Sequence, residues 1–167
     1  DLFAVWMFGY AGRSDLTQKY SRWILQNAYW NKPAGMEGND DYGAMSSWFV
    51  FSAMGFYPRT GSSQYVIGSP LFSEVTVTRK MLDGTRCDLK IIAHNNSDKN
   101  IYVSSVKING SSLSNFPFLD HIQDLKCPQG SSSVTLEFEM TSTPQHQAEK
   151  CAIFCLVSQH LTNLIFS

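Results

Sequence analysis

The chain has 167 residues, 43% of them apolar and 13% aromatic, with a formal net charge of −1. That length suits one domain or two small ones, and that apolar content suits a packed core rather than disorder. The near-zero charge offers neither the electrostatic footprint of a nucleic-acid binder nor a polybasic membrane anchor, so no nucleic acid and no membrane is expected as a partner.

The first residues, D-L-F-A-V-W-M-F-G-Y, lack an initiator Met and open inside an apolar run. They have no basic flank and no small-residue cleavage site, so they do not read as a signal peptide. The expectation is a chain that starts partway through a longer protein, with the missing N-terminal part as a partner. Over residues 1–58 the periodicity is helical. Ser14 is expected as an N-cap, with Asp15 in the first turn. Leu16, Tyr20, Trp23, Ile24, Asn27 and Ala28 recur at spacings of three and four and draw one helix face, which Pro33 and Gly35 should stop. An acidic loop follows over residues 35–43. The next helix, over about residues 44–54, carries Met45, Trp48, Phe49 and Ser52 on one side and Val50, Phe51 and Met54 on others. A helix apolar nearly all round should be enclosed by other elements. Gly55 is placed to end it in a left-handed conformation, and Pro58 to prevent its resumption.

After Pro58 the period changes to two. Residues 65–67 and 75–78 are short strand candidates, and Leu89, Ile91 and Ala93 alternate. Val103, Ser105 and Lys107 alternate less cleanly; Val134, Leu136, Phe138 and Met140 do so strictly. Asp83-Gly84 and Asn109-Gly110 are hairpin signals. Residues 59–142 therefore predict an antiparallel sandwich or a sheet added to another domain. Residues 143–167 read as a tail, too short and too polar at Ser158, Gln159 and His160 for a membrane span. Cys87, Cys127, Cys151 and Cys155 form no C-x-x-C pair and have no histidine at ligand spacing, so buried or incidental thiols are expected. Two glycosylation sequons, Asn95-Asn96-Ser97 and Asn109-Gly110-Ser111, hint at a secretory route.

The loop concentrates the chemistry. Gly35, Gly38 and Gly43 give it backbone freedom, and Glu37, Asn39, Asp40 and Asp41 gather hard oxygen donors of the kind calcium takes. Asp40 and Asp41 cannot both point the same way, because like charges so close raise one another's pKa. One is then free for solvent or a cation while the other faces a substrate. Spacing alone describes equally well a solvated acidic loop capping the next helix, with Asp41 or Gly43 near the N-cap. The histidines His94, His121, His146 and His160 have no nucleophile motif beside them, and Ser46 and Ser47 lie inside a helix rather than at a nucleophile elbow. Trp6, Trp23, Trp30 and Trp48 could stack on sugar faces, although core packing is the default for such residues.

The run G-N-D-D-Y-G-A-M-S-S-W-F-V-F-S-A-M-G-F-Y-P, followed by Y-V-I-G-S-P-L-F, resembles the signature of family-92 glycoside hydrolases, the calcium-dependent exo-α-mannosidases. Upstream, Y-A-G-R-S-D-L-T-Q is similar to that family's Y-A-G-R-P-x-x-T-Q element. Downstream, A-H-N-N-S-D-K-N-I-Y-V-S-S-V-K-I-N-G resembles its A-x-N-N-S-x-x-N-x-Y strand pair. The match is collinear over residues 1–140.

The resemblance implies an α+β chain: the C-terminal helices of an (α/α)6 catalytic barrel in residues 1–58, then an antiparallel β-rich, sandwich-like segment in residues 59–142. It implies an inverting mechanism in which Asp41 is the general base that activates water. Asn39 stands where a supporting carboxylate occurs in some members, and Asp40 falls to loop structure or the metal shell. Ca2+ is the implied cofactor, with Asp41 and Asn39 among its ligands directly or through water. The implied partners are mannose-terminated glycans or glycoproteins, in N-glycan breakdown. The family's general acid lies in an N-E-x-x-H-type element upstream of Y-A-G-R, and this sequence has none. Inverting hydrolysis needs two carboxyl groups about 6.5–9.5 Å apart, so this chain alone is expected to be inactive. The competing readings are a non-catalytic carbohydrate-binding or structural β-module and a membrane-tethered interaction fragment. A secreted or secretory and vacuolar location is favoured, with the cytosol left open.

Overall fold

The computed structural model describes residues 2–80 and 84–145. The tail expected over residues 143–167, with Cys151, Cys155, His146 and His160, lies outside them apart from residues 143–145, as does Asp83. A 3-10 turn (Ala4–Trp6) leads into helices α1 (Met7–Tyr10), α2 (Ser14–Asn27) and α3 (Ala44–Met54). Strands β1 (Phe56–Pro58), β2 (Gln64–Ile67), β3 (Glu74–Lys80), β4 (Arg86–His94), β5 (Tyr102–Ile108), β6 (Ser111–Ser112), β7 (Phe118–Asp120) and β8 (Ser133–Thr141) follow. The change from helical to alternating periodicity is thus real. It falls at Gly55, whose φ of +97° ends α3 as expected, rather than at Pro58, which closes edge strand β1.

Helix α2 inverts the expected face. Tyr20 and Trp23 are 41% and 58% exposed, whereas Ser14, Asp15, Thr17, Gln18, Ser21, Arg22 and Leu25 are buried. The reason is hydrogen bonding. The Thr17 hydroxyl donates to the Val5 carbonyl at 2.9 Å, and Gln18 Oε1 accepts from the Val103 amide at 3.0 Å. Arg22 donates to Ser69 Oγ (3.1 Å), to the Pro70 carbonyl and to Asn96 Oδ1 (2.7 Å). Burying polar groups is tolerated where they find partners; for Gln18 Oε1 and Arg22 the β half supplies them, and for Thr17 the segment before α1 does. Ser14 is not the N-cap either: Arg13 holds that position, and Ser14 Oγ is buried without a partner among the described residues. The helix stops at Asn27, before Pro33 and Gly35. Helix α3 buries Trp48, Ser52 and Ala53 but leaves Val50 54% exposed, so its enclosure is one-sided within this chain.

The strands form a three-stranded antiparallel sheet, β1-β2-β7, and a five-stranded sheet, β3-β4-β8-β5-β6. One core holds them together, joining Phe56, Ile67 and Leu119 of the first sheet to Leu89, Ile91, Val134 and Phe138 of the second. The expected antiparallel arrangement fails at one pair, since β4 and β8 are parallel. Strand β8 lies between β4 and β5, which run in opposite directions, so it must be parallel to one of them. The uneven alternation in β5 has a cause: the register shifts between Val103 and Ser105, which puts Val103 and Val106 on the buried side. Asn109-Gly110 forms the expected turn between β5 and β6, with both residues left-handed.

Cys87 and Cys127 are a disulfide, not thiols, with Cα atoms 5.9 Å apart. The bond ties the start of β4 to the loop before β8. Arg79 reinforces it, donating to the Leu125 carbonyl (2.8 Å) and to Cys87 Sγ (3.0 Å).

Two outcomes are expected. Arg22→Ala strips three acceptors of their donor at the seam between helices and sheets, and should cost about 3 kcal/mol or more in urea unfolding. Arg22→Lys recovers only part of this, because an ammonium cannot reproduce the planar fork; full recovery by Lys would contradict the geometry. Cys87→Ser, or reductant with the native chain, should lower the urea midpoint, through a stability loss of up to about 4 kcal/mol, the chain-entropy value for a loop of this length. An unchanged midpoint would mean the bond constrains nothing.

Candidate active site

The acidic loop is carried by an aromatic base. After α2 the chain doubles back, with Tyr29 bridged to Met36 and the Trp30 amide donating to the Gly35 carbonyl at 2.7 Å. A Cβ on Gly35 would lie 2.1 Å from the Trp30 carbonyl oxygen, so only glycine fits. The Tyr29 ring stacks on Trp48 (5.9 Å), its hydroxyl donates to the Met45 carbonyl (3.0 Å), and Trp48 Nε1 donates to the Leu2 carbonyl (2.8 Å). Burial, and secondarily Tyr57 and Asp40, raise the Tyr29 pKa, so its hydroxyl stays a donor at neutral pH.

The two adjacent carboxylates occupy different situations. Asp40 Oδ1 accepts from the Ser46 amide (2.8 Å) and from the Ser46 hydroxyl (2.9 Å), and the Asp40 carbonyl accepts from the Met45 amide (3.1 Å). These contacts satisfy free amides at the start of α3 and place negative charge at the helix's positive end. Gly43 occupies the cap position itself, at φ +90°, and has no side chain to contribute. Asp41 and Tyr42 precede it at φ +51° and +59°, so three consecutive residues are left-handed. For the two non-glycines this costs about 1–2 kcal/mol each, a strain that the Asp40 contacts hold in place. Asp41 is exposed and its carboxylate has no partner among the described residues; the same holds for Glu37 and Asn39. Tyr42 is fully exposed. The loop thus tethers one carboxylate and leaves the next one free.

Ser46 was the residue that sequence reasoning passed over, since it looked only like a helix interior position. It sits at the third position of α3, where a hydroxyl and an amide can grip one carboxylate oxygen together. It also lines a cavity of about 520 Å3 bounded by Leu25, Trp30, Met36, Phe49, Val50 and Leu71. Lys32 Nζ lies 4.8 Å over the Trp30 ring at its rim. Of the four tryptophans, Trp6 and Trp48 are core while Trp23 and Trp30 are exposed. His94 is 3.3 Å from Glu137, and His121 stacks on Tyr65 and contacts the Ser63 carbonyl, so both are engaged with partners outside the loop.

Calcium needs about six to eight oxygen ligands. Among the described residues no three acidic, histidine or cysteine side chains converge as a metal site, and Asp40 Oδ1 is already taken by Ser46. The described residues do not by themselves make up a calcium site.

Comparisons with known proteins identify the family. The profile of the glycosyl hydrolase family 92 catalytic domain matches residues 1–142. An uncharacterized secreted glycosidase of Arthroderma benhamiae is 30% identical over 107 residues, 64% of this chain and 14% of that protein. A family-92 α-mannosidase from Bacteroides thetaiotaomicron, solved with mannoimidazole, superposes with a TM-score of 0.72 at 33% identity, covering 86% of this chain and 18% of that one. An inverting family-92 mannosidase of the same organism gives a TM-score of 0.68 at 31% identity, covering 84% and 18%. The chain therefore spans less than a fifth of these relatives' length. Among the described residues no helix is long and apolar enough to cross a membrane. With its profile match across most of the sequence and its mixed helix-and-sheet fold shared with these mannosidases, the chain belongs to glycoside hydrolase family 92.

Proposed function

We propose that this chain is the part of an inverting exo-α-mannosidase that supplies the general base, and that the base is Asp41. The observation that carries the proposal is the split between neighbours: Asp40 is bound to Ser46, whereas Asp41 is exposed and unpartnered on a strained loop. A base must be ionised and able to reach its water. Asp41 is exposed and free to reach it; Asp40 has given its Oδ1 to the helix.

In the reaction, Asp41 takes a proton from water as that water attacks the anomeric carbon of a terminal α-mannose. A carboxylic acid on the opposite side protonates the departing oxygen as the glycosidic bond breaks. That acid comes from the part of the protein that the relatives have and this chain lacks, so the chain alone does not turn over. The same missing part completes an (α/α)6 barrel. The exposed Tyr20, Trp23 and Val50 on the outer faces of α2 and α3 support this, since they are apolar surface awaiting cover. Mannose on the N-glycans of secreted glycoproteins is the substrate class in this reading; the similar mannosidases support the mannose, and the similarity to a secreted glycosidase supports the secretory setting. Calcium belongs to the proposal only with donors added from outside this chain, next to Asp41 and Asn39.

In a chain extended with the family's upstream part, Asp41→Asn should lower hydrolysis of an unactivated α-mannoside by about 10²–10⁴. Asp40→Asn should cost less in rate and more in thermal stability. A nitrophenyl leaving group should not rescue Asp41→Asn, because the base acts on water; rescue, or a deeper loss with Asp40→Asn, would remove Asp41 from the role.

Calorimetry of the 167-residue chain with calcium chloride should give binding no tighter than about millimolar, the range of sparse oxygen sites. Micromolar binding would show that the loop is a complete site.

A further inference from the structure

We propose that Asn95 is an N-glycosylation site and that the second sequon, at Asn109, is a structural turn. Both asparagines are exposed, but they are used differently. Asn95 opens the connection between β4 and β5, is exposed, and has φ +60°. Its backbone carbonyl accepts from Asn100 Nδ2 at 2.8 Å, while its own side-chain amide has no partner among the described residues. Ser97 is exposed, and the neighbouring Asn96 is turned inward, donating to the Leu71 carbonyl and accepting from Arg22. The loop is therefore anchored by Asn96 and presents Asn95 outward.

Asn109 is committed to the fold. It closes the tight β5–β6 turn, its amide donates to the Thr135 carbonyl, and its Oδ1 accepts from the Thr135 amide, both at 2.9 Å. The Cys87–Cys127 disulfide supplies the compartment argument, since such bonds form and persist in oxidising, secretory surroundings. There the Asn95 Nδ2 would attack the anomeric carbon of an oligosaccharide carried on a lipid pyrophosphate. The sugar–phosphate C–O bond breaks, the lipid pyrophosphate leaves, and the amide gives up one proton to the transferase. The resulting glycan is bulky and solvated, which suits this outward loop.

The test is mass spectrometry of the chain recovered from a eukaryotic secretory host, before and after peptide-N-glycosidase, an assay independent of mannosidase activity. The expected result is one glycan, released with conversion of its carrier asparagine to aspartate. Asn95→Gln and Ser97→Ala should abolish it; Ser97→Thr and Asn109→Gln should retain it. Unmodified Asn95, or a glycan that survives Asn95→Gln and disappears with Asn109→Gln, would overturn the proposal. Two glycans, one lost with each asparagine variant, would keep Asn95 as a carrier and overturn the exclusion of Asn109.

Discussion

The buried guanidinium of Arg22 is the constraint on which the rest of the molecule hangs. It leaves α2, crosses to the segment after β2, and reaches the β4–β5 loop through three acceptors, none of them a carboxylate. Burial pulls its pKa down to about 10, against a smaller opposing pull from Asp98, so it is still charged at neutral pH. A charge held without an adjacent counter-ion is expensive to bury unless its donors are matched. The surroundings match them: Asn96 is itself fixed on the Leu71 carbonyl, and the Leu71 amide donates to the Ala53 carbonyl at the end of α3. One continuous chain of polar contacts therefore runs from α2 through the β half to the last turn of the helix that carries the acidic loop.

That chain of contacts gives the loop a fixed platform. At its other end α3 is gripped by Asp40 through Ser46, and Tyr29 secures the first turn by its hydroxyl and its stacking on Trp48. The strain at Asp41 and Tyr42 is tolerable only because both sides of it are held. Adjacent identical residues acquire different chemistry from this geometry alone. Asp40 is consumed in holding the start of α3, and Asp41 is left exposed and without a partner among the described residues.

How much of this was legible in the sequence depended on whether the signal was local. The limits of α3, its glycine terminator, the Asn109-Gly110 turn and the alternation of β8 are local, and they read directly from the residues. The irregular β5 also carried a local signal, a broken alternation that the register shift at Val103 explains. The buried face of α2 was not readable. Its apolar stripe pointed to one face, but Gln18 and Arg22 found partners on segments far along the chain, at Val103, Ser69 and Asn96. Nor was the Cys87–Cys127 bond readable, because four cysteines allow several pairings and separation along the chain says nothing of proximity. Parallel β4 and β8 followed from strand order, which no stretch of sequence encodes. In the site, motif resemblance pointed to Asp41, Asp40 and Asn39, and the structure added Ser46 as the residue that tells the two aspartates apart.

The most direct measurement is a crystal structure of a chain extended to the length of its family-92 relatives, bound to a mannose-shaped transition-state analogue. The account predicts the Asp41 carboxylate within hydrogen-bond reach of the water, or the ligand atom replacing it, on the anomeric face. Asp40 should remain on the Ser46 amide and hydroxyl. A structure with Asp40 released from Ser46 and turned to the sugar, and Asp41 pointing away, would contradict it.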